Sequence, residues 1–120
     1  MYEITVEDTF DAAHCIRGYS GNCSNLHGHT YKVAVVFRLT ELDDNGISLD
    51  FRKAKAALRA VLGGFDHKYL NDLPEFAQIN PSAENLARVV FRSVKNEMPE
   101  LHRVQVWETP TSSVSYTEDA

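Results

Sequence analysis

Cysteine is scarce in this chain. Cys15 and Cys23 are the only two among 120 residues, too few to form a disulfide framework. They could pair with each other, but nothing in the sequence requires it. Basic residues are outnumbered: 12 lysines and arginines face 17 acidic residues, giving a net charge of -5. With no basic run, this composition argues against nonspecific binding to nucleic acid. No apolar run approaches the roughly 20 residues of a membrane span. The opening stretch, MYEITVED, lacks the basic and apolar regions of a signal peptide. Repeats, low-complexity stretches and dividing linkers are also missing. These absences lead to the expectation of one reduced, cytoplasmic domain over residues 1–120, large enough to bury a core without crosslinks.

What is present is ordinary globular material, 43% hydrophobic and 24% charged. Tyr2, Ile4, Val6, Phe10 and Ala12 fall on one face of an alternating segment, a strand signal. IRGYSGNCSN is loop-like. A second strand is expected over 27–39, with Tyr31, Val33, Val35, Phe37 and Leu39 sharing a face. Asp50 can cap a helix over 51–62, and Gly63 and Gly64 stop it. Ser82 caps a second helix that runs to about Glu97. Two strands near 103–108 and 113–117 finish the chain. The order β-β-α-α-β-β predicts an α+β domain with an antiparallel sheet. Two helices cover only one face of such a sheet, so its other face and its edges call for cover by oligomerisation.

The histidines carry the first chemical signal. Residues two apart on a strand point the same way, so His27 and His29 project together. His14 ends the first strand on its apolar face and meets them if the two strands pair antiparallel. Three imidazoles with a fourth position left for water or substrate suit catalytic zinc, although copper, nickel and iron also bind imidazole. A lone histidine on an apolar face is more often a hydrogen-bonded core residue.

Cys23 precedes His27 by four residues. It is open to three readings: a fourth metal ligand, a thiolate base or nucleophile beside the metal, or a free loop thiol. Cys15 reads as packing. Asp66 and His67 form either an acid–base pair or a polar loop with a capping aspartate. Glu108 ends an apolar row after Val104 and Val106. It is either a ligand-facing acceptor for the N–H groups of a heterocycle or a strand end that has reached solvent.

In order along the chain, FDAAH, CSNLHGHTYKV, LDF, FDHKYLN, NPSAENLA and VWETPTSSVSY resemble the signature segments of the 6-pyruvoyltetrahydropterin and 6-carboxytetrahydropterin synthase family. The resemblance covers nearly the whole chain. It implies the tunnelling fold, in which three β-β-α-α-β-β subunits close an antiparallel β-barrel and two rings commonly stack as a hexamer, with active sites between subunits. It also implies His14, His27 and His29 as zinc ligands, Cys23 as the catalytic thiol, and Asp66 with His67 as its acid–base partners. Glu108 corresponds to the carboxylate that anchors the pterin, with Thr109 and Ser82 as further substrate contacts.

The substrate implied is 7,8-dihydroneopterin triphosphate. Lys68 or Arg17 would have to offset its charge. The short Cys-to-His interval is similar to that of the bacterial 6-carboxy enzymes of the queuosine (7-deazaguanine) pathway, which release acetaldehyde. The alternatives are the 6-pyruvoyl reaction and a noncatalytic, zinc-stabilised pterin-binding protein with Cys23 as fourth ligand.

Overall fold

The computed structural model describes residues 1–18 and 26–118. Strand β1 (Tyr2–His14) and strand β2 (His27–Leu39) form a long antiparallel pair, from Tyr2 opposite Leu39 to His14 opposite His27. Helix α1 (Phe51–Leu62), a two-residue strand β3 (Lys68–Tyr69) and helix α2 (Ala83–Glu97) follow. Strands β4 (Leu101–Thr109) and β5 (Ser112–Tyr116) close the chain as an antiparallel hairpin. The sheet order is β3-β1-β2-β4-β5. This is the expected α+β order, with β3 and two short 3-10 turns, Leu70–Asp72 and Pro74–Phe76, added between the helices.

Local chemistry accounts for the helix ends. The Asp50 carboxylate accepts the Arg52 N–H at 2.8 Å, and Ser82 Oγ accepts the Asn85 N–H at 3.2 Å, each satisfying a donor that a helix start leaves orphaned. Gly63 stays right-handed at φ -59°, so α1 stops without the left-handed turn that glycine often supplies. Replacing Ser82 by alanine is expected to cost about 1 kcal/mol, read as a lower denaturant midpoint.

Both helices lie on one face of the sheet. Val6, Phe10, Tyr31, Val33, Val35 and Phe37 meet Leu58, Leu86, Val90 and Phe91 there, all buried. Asp8 shares that inward register and sits at the seam, 3.3 Å from the Arg59 guanidinium. The helix-free face is polar. Ala34 and Val36 are nevertheless buried on it, opposite the long side chains of Gln105 and Arg103. Those two are bonded to each other, and Gln105 donates on to Ser113. Among the described residues, β1 is paired on its outer side only at Ala12 and Ala13, and β5 has no outer neighbour. No helix among the described residues is long and apolar enough to cross a membrane.

Candidate metal centre and active site

The β1–β2 register builds the centre. His14 lies opposite His27 and Ala12 opposite His29, so three imidazoles project from the inward face at one end of the sheet. Strand β4 adds the fourth group. Trp107 pairs with Lys32, and the next residue, Glu108, turns its carboxylate onto the histidines. Glu108 Oε1 is 3.1 Å from His14 Nε2 and 3.1 Å from His29 Nε2. His14 Nε2 is 3.0 Å from His27 Nε2. The four ligand atoms all lie within 4.8 Å of one another. At metal–ligand bonds of roughly 2.0–2.1 Å, two ligands of a tetrahedral ion are separated by about 3.3 Å.

Proton bookkeeping also fits a cation. His14, 1% exposed, has its Nδ1 2.7 Å from the Pro81 carbonyl oxygen. A carbonyl only accepts, so Nδ1 carries the proton and donates. The ring's other nitrogen, Nε2, faces an acceptor carboxylate 3.1 Å away. A contact that short between Nε2 and a carboxylate needs a proton or a cation between them. His29 Nε2 is buried and, among the described residues, finds no partner of hydrogen-bonding geometry despite its short approach to Glu108. Burial holds the His29 pKa below the ordinary range, against the Glu108 charge that raises it, and so favours the neutral imidazole a metal requires. The donor set suits zinc.

The chain leaving β1 is held from both sides. Asn71 accepts the Cys15 N–H and donates to the Cys15 carbonyl, both at 2.9 Å. Asn80 does the same for Arg17, also at 2.9 Å. Cys15, read as packing, is half-buried with its Sγ in a polar contact 3.1 Å from the Tyr69 hydroxyl. The Arg17 guanidinium donates to the Phe76 and Ile79 carbonyls. That leaves Lys68 as the better placed of the two expected cations.

Asp66 and His67 are in contact. His67 Nδ1 is 3.0 Å from Asp66 Oδ2, while Asp66 Oδ1 accepts the Asp11 N–H at 2.9 Å. The Asp11 N–H, and then the His67 ring, hold the Asp66 carboxyl below the usual carboxylate range. His67 N–H donates to the Asp11 carbonyl at 2.6 Å, and His67 adopts φ 59°, a left-handed conformation uncommon for a side-chain-bearing residue.

Two depressions flank the histidine cluster. One, of about 510 Å³, is lined by His29, Lys32, Trp107, Glu108 and Thr109, with the Lys32 ammonium 4.2 Å from the Trp107 ring centre. The other, of about 580 Å³, is lined by Asp11, His29, Thr30, His67 and Lys68. Both volumes suit a small molecule. Thr109 therefore lines the same pocket as Glu108. Ser82 spends its hydroxyl on the helix cap, and the neighbouring Pro81 carbonyl is what touches the centre. Cys23 lies outside the described residues.

Three groups were not singled out from sequence. Asp11 faces away from the core on β1, yet its backbone fixes the Asp66–His67 pair. Lys32 and Trp107 line the first pocket. Tyr31 was read as core, which it is, stacked on Phe10 at 4.8 Å. Its hydroxyl, however, is buried without a partner among the described residues, beneath His14 and His29. Burial and the Glu108 charge push its pKa above the ordinary range. The run H-x-H-x-Y on one strand face was the available signal.

Comparison with known proteins gives the site its context. The family described as "6-pyruvoyl tetrahydropterin synthase" matches residues 3–119. A Bacillus subtilis protein named 6-carboxy-5,6,7,8-tetrahydropterin synthase is 35% identical, covering 96% of this chain and 84% of its own length. One of the same name from Haemophilus influenzae is 31% identical, over 98% of this chain and 100% of its own. The solved structure of Caenorhabditis elegans 6-pyruvoyl tetrahydropterin synthase superposes with a TM-score of 0.85 at 32% identity, covering 99% of this chain and 98% of that one. On the family match, and on relatives matched over nearly their whole length, this chain belongs to the 6-pyruvoyl tetrahydropterin synthase family of enzymes.

Proposed function

We propose that this protein is a lyase of one synthase domain over residues 1–120. It converts 7,8-dihydroneopterin triphosphate and water to 6-carboxy-5,6,7,8-tetrahydropterin, acetaldehyde and triphosphate. The reaction serves queuosine (7-deazaguanine) biosynthesis in the cytoplasm. The observation that carries this reading is the convergence of His14, His27 and His29 with Glu108 beside a pocket of small-molecule size. The bacterial relatives' names favour the carboxy product.

His14, His27 and His29 hold the zinc, which supplies Lewis acidity toward the hydroxyl oxygens of the substrate side chain. Glu108 accepts N–H groups of the pterin ring, with Thr109 beside it and Ser82 nearby. His67, its Nδ1 proton directed at Asp66, exchanges a proton at Nε2. Cys23 as thiolate takes another. Lys68 and Lys32, one in each depression, offset triphosphate charge. No external oxidant or reductant enters, because the ring is reduced at the expense of its own side chain.

The chain works as a trimer or hexamer with active sites between subunits. The exposed edges of β1 and β5 and the polar, helix-free sheet face support this.

The test is mass analysis of products from the zinc-loaded protein and 7,8-dihydroneopterin triphosphate. The expected products are 6-carboxytetrahydropterin and acetaldehyde. A 6-pyruvoyl product without acetaldehyde would place the chain with its Caenorhabditis elegans structural relative instead. Absence of any product from an intact, zinc-bound oligomer would favour a noncatalytic pterin-binding role.

A further inference from the structure

His14 stands at the end of a ladder. It is the last residue of β1, and its pairing with His27 is the last between β1 and β2. Strand ends open more easily than strand centres. Yet this residue supplies the most deeply buried of the three imidazoles, with its Nδ1 held by the Pro81 carbonyl.

Side-chain amides take over where the ladder stops. Peptide groups along a strand point alternately to its two sides. Those of Asp11 point outward, to Asp66 and His67. The outward side is used again at Cys15 and Arg17, past the end of β1, but there the partners are carboxamides. Asn71 accepts the Cys15 N–H and donates to the Cys15 carbonyl, and Asn80 does the same for Arg17, with all four bonds at 2.9 Å. A carboxamide offers the same acceptor and donor as the main chain, so each asparagine stands in for one residue of a neighbouring strand.

Asn80 has a second connection to the centre. Its own chain runs directly into Pro81, whose carbonyl accepts the His14 Nδ1 proton at 2.7 Å. The Asn80 carbonyl is held in turn by the Asn85 side chain, in the first turn of α2, at 2.9 Å. One residue therefore fixes the segment that carries the imidazole against the segment that carries its acceptor.

We propose that Asn80, assisted by Asn71, is a positioning residue of the metal centre. Its carboxamide extends the pairing of β1 beyond the last ladder position, and so keeps His14 and the Pro81 carbonyl in one frame. This rests on the reading of the histidines as metal ligands. Both asparagines act through the main chain on the C-terminal side of His14. Groups that orient a metal ligand typically contribute roughly 10–100-fold to metal affinity.

Cobalt(II) in place of zinc makes the coordination visible through its absorption bands. Its affinity is measured by competition with a chromophoric chelator, with the melting temperature of each metal-free protein alongside. Asn80→Ala is expected to keep the wild-type circular dichroism, to bind cobalt roughly 10–100-fold more weakly and to shift the bands. Asn80→Asp keeps the acceptor for the Arg17 N–H and loses the donor, so a smaller loss of the same kind is expected. It carries the test if Asn80→Ala does not fold. Asn71→Ala should also lose less, because Asn71 holds Cys15 and has no link to Pro81.

A lower melting temperature with wild-type cobalt affinity and spectrum, in Asn80→Ala or Asn80→Asp, would overturn the proposal. The clamp would then be loop architecture, and the three-histidine centre would stand. A wild type that binds no cobalt would instead overturn the metal reading itself.

Discussion

Replacing His14 by alanine is expected to strip the protein of zinc and to lower turnover by at least about two orders of magnitude. Substitutions that merely disturb the support of a metal ligand already cost roughly 10–100-fold in affinity or activity, and this one removes the best-supported candidate ligand. His14 is almost completely buried, in edge contact with both other imidazoles, and held by Pro81. The variant also leaves the Pro81 carbonyl without its donor, a further cost of about 1–3 kcal/mol. Zinc content, melting temperature and circular dichroism should be measured together, so that metal loss is separated from unfolding. Cys23→Ala is the informative control. The proposed role as a base predicts normal zinc content with lost turnover, whereas a fourth-ligand role predicts that zinc and stability fall together. A His14→Ala protein that retains stoichiometric zinc would remove the basis for the centre described above.

The second large effect is expected at His67. His67→Asn should lower kcat by roughly 10²–10⁴-fold, the usual contribution of a positioned acid or base, with little change in KM. Asparagine suits this test because it tolerates the left-handed backbone that His67 adopts at φ 59°, so the imidazole is lost while the turn is kept. Asp66→Asn should give a smaller loss. The imidazole remains, but the carboxylate that fixes its Nδ1 proton is gone, and Asp66 also anchors the loop to the Asp11 N–H. Steady-state rates of acetaldehyde release would show both effects. An unchanged kcat in His67→Asn would exclude the proposed proton exchange, leaving the contact with Asp66 as loop architecture.

Much of this is legible in the sequence. Alternation located β1 and β2, and the caps Asp50 and Ser82 located the helices, because in those segments local pattern and tertiary burial agree. Asp8 breaks the apolar row of β1 in the sequence. The structure keeps it in register and reaches it with Arg59. Strand β3 was out of reach, since two residues paired in parallel carry no periodicity. Contact among the three histidines followed from pairing β1 with β2. Glu108 was harder, because its position depends on the register of β4 against β2, a pairing between segments far apart in sequence. Asp11 was invisible for a related reason. Its hydrogen bonds to the Asp66–His67 pair are made by backbone groups, which no residue type announces.

The same holds for the acceptor behind His14, and it has a consequence for how the protein tolerates change. The oxygen belongs to the main chain at position 81, so every amino acid placed there presents it. Scanning that position with side-chain replacements therefore probes the path of the chain into α2, not the presence of the acceptor. The tautomer of His14 is in this sense inherited from the route of the polypeptide. A shift of the α2 entry, even one caused by substitutions remote from the centre, would disturb it more than the loss of any single polar side chain nearby.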